Sequence, residues 1–205
     1  MNDYIDPKTG KEILTREDYE WAAKQLGVEV AAIKAVAAVE TSGNGFQVQR
    51  DGSVAPLILF EAHVFSRLTA GKYNKTHPNI SSPTWNRKLY GSSLNQHARL
   101  QQAVALNRDA ALMSASWGKF QLMGSEYKQN GYATLQEFIN AMYRSERDQL
   151  DGFVRYIKNK KGLLPALKNL DWPRFAYLYN GPGYKKNNYD VKMANAYRKF
   201  KAAEG

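Results

Sequence analysis

Apolar residues recur every three to four positions along most of this chain, and in few places every second position, so the pattern predicts helices and little sheet. Thr15-Arg16-Glu17-Asp18 reads as a capping-box start, with Asp in place of the favoured Glu. The helix it opens should stop at Gly27. A second, strongly apolar helix follows, with the run Ile33-Lys34-Ala35-Val36-Ala37-Ala38-Val39-Glu40, and ends at the turn Thr41-Ser42-Gly43-Asn44-Gly45. Residues 43–55 are polar and Gly-rich, and the Asp51-Gly52 pair there predicts a tight turn in a small hairpin. A helix is expected over 61–68. Residues 71–93, with Pro78 and Pro83 and little periodicity, read as a long loop of the kind that often carries function. Helical patterning returns over 94–107, as one stretch over 134–160, over 163–169, from Pro173, a residue suited to a first turn, and over 190–203.

Within this pattern one residue stands out. Counting back three, four and seven positions from Glu40 reaches Ala37, Val36 and Ile33, so its carboxyl shares the face that should turn inward. Partial burial and the negative end of the helix dipole both disfavour its ionised form. A carboxylic acid kept neutral near pH 7 is what a general acid requires. The plainer alternative is a surface Glu at a fraying helix end. Glu61 follows the apolar run 57–60 and so should also lie near the core, either as a second carboxylate or as a Glu favoured by a helix N-terminus. Asp51 is the alternative second carboxylate, on a loop placed to overhang a cleft.

Three further stretches sharpen the reading: Ser116-Trp117-Gly118-Lys119-Phe120-Gln121-Leu122-Met123-Gly124, Tyr177-Leu178-Tyr179-Asn180-Gly181-Pro182-Gly183-Tyr184, and Pro56-Leu57-Ile58-Leu59-Phe60-Glu61-Ala62-His63. The order of parts is an apolar helix ending in Glu, then Gly-x-Phe-Gln-Leu-Met, then Tyr-Asn-Gly-Pro. It resembles the lysozyme-like superfamily of glycan-cleaving enzymes, which includes goose-type lysozymes and soluble lytic transglycosylases. Within it the chain looks most like the N-acetylmuramidase domain of bacteriophage endolysins, over about residues 15–197. The resemblance implies a mainly α, lysozyme-like helical domain with a small β-hairpin region and a substrate cleft, occupying 1–205 as one catalytic domain. It implies a peptidoglycan hydrolase that cleaves the β-1,4 bond between N-acetylmuramic acid and N-acetylglucosamine and so lyses bacteria. The matching family position carries a Glu at Glu61, and the family's Tyr-Asn pair beside the acid falls on Tyr179 and Asn180. Read from the residues, Tyr179-Asn180-Gly181-Pro182 is a helix stop. Gln121 offers an amide for an N-acetyl group or, alternatively, satisfies its own loop. Trp117 and Tyr184 are candidates for stacking on a sugar or, as aromatics more often are, for the core.

Composition narrows the chemistry. With 29 Lys and Arg against 19 Asp and Glu, the net charge of +10 favours acidic partners. Peptidoglycan glycan strands qualify, while the cations are too dispersed for a nucleic-acid motif. The basic helix over 190–203 has Met193, Tyr197 and Phe200 on one face. It reads as a docked terminal helix or, more sharply, as a segment touching an anionic outer membrane. With no cysteine, disulfides and Cys-based metal sites are excluded. His63, His77 and His97 lack a metal-ligand spacing, so neither metal nor cofactor is expected. The amino terminus lacks signal-peptide features. The expectation is a monomer held in the host cytoplasm before release, acting on peptidoglycan in the periplasm. A lytic transglycosylase giving 1,6-anhydromuramic products and a non-catalytic basic wall-binding or nucleic-acid-binding module are the competing functions.

Overall fold

A computed structural model describes residues 4–203; the reading of the extreme amino terminus therefore falls partly outside the described residues. The chain is mainly α. Helix α1 (Arg16–Leu26) starts where the sequence indicates, with both halves of the Thr15/Asp18 capping box formed. It ends on Gly27 in the left-handed conformation, φ 64°. Helix α2 (Val30–Thr41) runs one residue past Glu40 and closes on Ser42, itself left-handed. Strands β1 (Phe46–Val48) and β2 (Val54–Pro56) then form the expected antiparallel hairpin, Phe46 opposite Pro56.

A second sheet was not anticipated. Strand β3 (Ile58–Phe60) pairs with β4 (Ala115–Trp117), Leu59 opposite Ser116, and β4 pairs with β5 (Leu122–Met123). Three residues are too few for an alternating pattern to show, and the partners are remote in sequence. Between these strands lie α3 (Ala62–Leu68), the long segment with 3₁₀ turns at Arg87–Leu89 and Ser93–Asn95, α4 (Gln96–Leu106) and α5 (Arg108–Met113). The stretch expected as one helix over 134–160 is two. Helix α6 (Leu135–Arg144) and α7 (Glu146–Asn159) are separated at Ser145, which is extended and whose side chain accepts from the Asp148 N–H. Helices α8 (Leu163–Lys168), α9 (Trp172–Asn180) and α10 (Tyr189–Ala202) complete the fold.

Helix α7 runs through the core, burying Leu150, Phe153, Val154, Tyr156 and Ile157. An aromatic column crosses it. Phe120 stacks on Phe153 with ring centroids 4.4 Å apart, and Tyr179 packs edge-on to Phe153 and stacks on Phe175 at 5.3 Å. Each such pair adds roughly 0.5–1.5 kcal/mol beyond its buried area. This column fixes α9, and with it the position of Asn180. Helix α10 lies along α2 and α9 with Met193 fully buried and Tyr197 and Phe200 against the core. Its apolar face therefore packs against the protein, with Met193 enclosed and Tyr197 and Phe200 half-buried. No helix among the described residues is long and apolar enough to cross a membrane.

Candidate active site

Glu40 comes off the penultimate position of α2, and Asn180 ends α9; the docking of these helices beneath α10 brings the two together across the chain. Asn180 Nδ2 donates to Glu40 Oε1 at 2.8 Å. Burial raises the Glu40 carboxyl from its ordinary value to about 7, with the Asn180 donor pulling the other way. The other amide atom, Asn180 Oδ1, is buried with no partner among the described residues. Tyr179 donates its hydroxyl to the Phe120 carbonyl at 2.5 Å. Burial, followed by the negative field of Glu40, raises its phenol well above the usual range.

Glu61 is the N-cap of α3, placed at the end of β3 by the pairing with β4. Its Oε2 accepts from the Tyr90 hydroxyl and lies 3.2 Å from His63 Nδ1. Burial raises its pKa, opposed by the Tyr90 hydrogen bond and the positive fields of His63 and Arg99. Arg99 is anchored beside it through the Phe60 carbonyl and Gln96 Oε1, both at 3.1 Å. Tyr189, on α10, lies within the field of both Glu40 and Glu61: burial first, then each carboxylate, raises its phenol.

A cleft of about 340 Å³ joins these parts. Glu61, His63, Arg67, Glu126, Tyr179 and Asn180 are among its lining residues. Glu40 stands one hydrogen bond behind this lining, through Asn180. Glu126 was missed by sequence reasoning. It accepts from Tyr156 Oη at 2.7 Å and pairs with Lys160 at 3.1 Å, which also lines the cleft. The available signal was its place two residues past the Gly118–Gly124 segment; its partners, Tyr156 on α7 and Lys160 just after it, had none. Tyr90, also missed, sits in the long loop whose length alone marked it.

Four candidates are corrected or redirected. Trp117 is fully buried, with its indole N–H donating to the Leu112 carbonyl at 3.1 Å, so it is core and cannot stack on a sugar. Tyr184 is 9% exposed, with its ring edge-on to Tyr177, and packs rather than offering an open face. Gln121 is left-handed, φ 48°, and its amide is spent on the loop: Oε1 accepts from Ser116 Oγ at 2.7 Å, and Nε2 donates to the Gly118 and Leu57 carbonyls. Asp51 sits at the exposed hairpin turn, accepting from the Ser53 N–H at 3.0 Å and hydroxyl at 2.6 Å. These bonds hold its carboxyl below the usual range and close its own turn, not a catalytic pair with Glu40.

The Gly118–Gln121 segment instead clamps the acid helix. Lys119 Nζ is buried, 2.7 Å from Glu146 Oε2, and also donates to the Gly43 carbonyl. Glu146 Oε1 accepts from the Gly45 N–H at 2.7 Å, and Thr41 Oγ1 donates to the Lys119 carbonyl at 3.0 Å. The turn just after Glu40 is thereby tied to α7. Gly118 permits this approach: its φ is +71°, and a Cβ there would meet the Gln149 side chain at 2.5 Å.

The family model for N-acetylmuramidase matches residues 29–201. Among solved structures, the chain is similar to the crystal structure of Burkholderia AP3 phage endolysin. The TM-score is 0.81 and identity 37%, over 98% of this chain and 74% of that one. No curated protein matches.

Proposed function

This chain belongs to the N-acetylmuramidase family, a glycoside hydrolase of the lysozyme kind acting on peptidoglycan, and from that premise we propose that it cuts the β-1,4 bond between N-acetylmuramic acid and N-acetylglucosamine. Glu40 is the general acid. Held near pKa 7 by burial, it still carries its proton in a large share of molecules at neutral pH, where an ordinary carboxyl would not, and delivers it to the leaving glycosidic oxygen. Asn180 orients it, and the unpartnered Asn180 Oδ1 offers an acceptor to a donor on the substrate. Glu61 is the second carboxylate. Tyr90 and His63 favour its charged form against burial, as is needed to draw a proton from water or to stabilise positive charge on the sugar. Arg67 and Lys160 give the same cleft two cations suited to lactyl and peptide-stem carboxylates.

The observation that carries this reading is the 2.8 Å contact joining a half-buried carboxyl to the end of α9, beside a cleft that also holds Glu61. In its biological setting the enzyme would act as a phage endolysin, reaching the periplasmic peptidoglycan after release from the host cytoplasm. The test is mass spectrometry of fragments released from purified Gram-negative peptidoglycan by the wild type and by Glu40→Gln. Reducing muramic acid ends that vanish in the variant are expected. Anhydromuramic ends would move the assignment to a lytic transglycosylase, and no fragments from folded wild type would remove the cleavage reading.

A further inference from the structure

The loop between α3 and α4 carries the most open of the large apolar side chains among the described residues, Trp85, 59% exposed. A lone exposed tryptophan needs no explanation. This one is not alone. Its ring lies 6.0 Å from that of Tyr90, tilted by 48°, and the Tyr90 hydroxyl donates to Glu61. Tyr90 and Asn86 line a small recess with His63, and His63 also lines the main cleft, so the loop continues the cleft wall beyond Glu61. The loop is held firmly. Gln96, 1% exposed, donates to the carbonyls of both Tyr90 and Ser92, while its own Oε1 accepts from the Phe60 N–H at 3.1 Å. An indole is thus presented to solvent against the ring of Tyr90, whose own backbone is fixed through Gln96 to the same strand end that places Glu61.

We propose that Trp85, backed by Tyr90, is a saccharide-stacking subsite that takes an N-acetylhexosamine ring of the glycan strand on the Glu61 side of the scissile bond. The inference rests on the reading of the cleft as glycan-cleaving. The C–H face of a pyranose is apolar and matches an indole face, whereas its hydroxyl and amide edges require the polar groups supplied elsewhere in the cleft. A polymeric substrate necessarily extends past the catalytic pair, and the wall beyond Glu61 is where its next ring meets this loop.

The test uses peptide-free glycan strands as the probe. Trp117 and Trp172 are buried and Trp21 lies under the Arg147 guanidinium at 3.6 Å, so a change in tryptophan emission on binding reports chiefly on Trp85. Glu40→Gln protein is expected to shift its emission on addition of strands. Trp85→Phe in that background should lose the shift while keeping most of the affinity, and Trp85→Ala should bind about tenfold more weakly, the scale of one lost aromatic contact. In the active enzyme, Trp85→Ala should raise KM on soluble strands and leave kcat and the thermal melt unchanged. No emission change on strand binding, or an unaltered KM in Trp85→Ala, overturns the subsite. Failure of the wild type to release muramic ends would instead overturn the cleavage reading, and the emission experiment on Glu40→Gln still decides Trp85.

Discussion

Glu40 stores a measurable opposition between function and stability. Its ordinary pKa of 4.5 is raised to about 7 in the folded protein. As pH climbs between those values, the unfolded chain releases this proton while the folded one retains it, so the unfolded state gains and stability declines. The contribution is fully present below about pH 4.5 and lost as pH passes 7, an effect of the order of 3 kcal/mol at one-and-a-third kcal/mol per pKa unit. Glu40→Gln cannot ionise. Its stability should match that of the wild type at pH 4.5 and exceed it at pH 8, while cleavage falls by roughly 10²–10⁴, as for loss of a general acid. Urea unfolding of both proteins at the two pH values checks the sign. An equal difference at both would mean that folding leaves the carboxyl's pKa unshifted. The inward position of Glu40 was legible because the helical period alone places it among Ala37, Val36 and Ile33. The role of Asn180 came only through family resemblance, since its contact with Glu40 spans 140 residues.

Elements meet around the buried pair of Lys119 and Glu146, 5% and 4% exposed. Desolvating two charges is offset here by short contacts to each other and to the Gly43 and Gly45 backbone. Removing one partner leaves the other uncompensated, so Lys119→Met should cost about 3–5 kcal/mol. Adding Glu146→Gln removes the stranded charge and retains an acceptor for the Gly45 N–H. The double variant should therefore melt above Lys119→Met alone. A double variant no more stable than the single one would mean that the network works through packing, not charge. Little of this was visible in sequence. Caps are local, so Thr15, Gly27 and Pro173 announced their helices. The break at Ser145 was also written locally, in Ser145-x-x-Asp148, but the apolar period continued across it and concealed it. Pairings such as Lys119 with Glu146 and Ile58 with Trp117 have no local signature, so the clamp and the second sheet emerged only from the fold.

At the scale of the whole molecule, charge and architecture separate on α10. Its apolar face supports the acid helix α2, whereas Lys192, Arg198 and Lys199 are exposed. Deleting the helix would uncover α2 and destabilise the site itself, so a truncation cannot isolate any surface role. Neutralising those three residues with Gln keeps the buried face of the helix and removes three charges, at the cost only of the surface contacts of Lys192 with the Tyr189 ring and of Arg198 with Asn195. A protein of net charge +10 should be drawn to an anionic wall through long-range attraction that salt screens, the Debye length shrinking from about 10 Å at 0.1 M to about 3 Å at 1 M. Cosedimentation of Glu40→Gln protein with purified sacculi should therefore weaken steadily across that range. The variant with all three cations replaced should bind less at low salt, converge with the parent at high salt and melt at nearly the same temperature. Parallel salt curves, offset by a constant factor, would place the wall attraction elsewhere, on the cleft cations Arg67 and Lys160 and not on the back of the terminal helix.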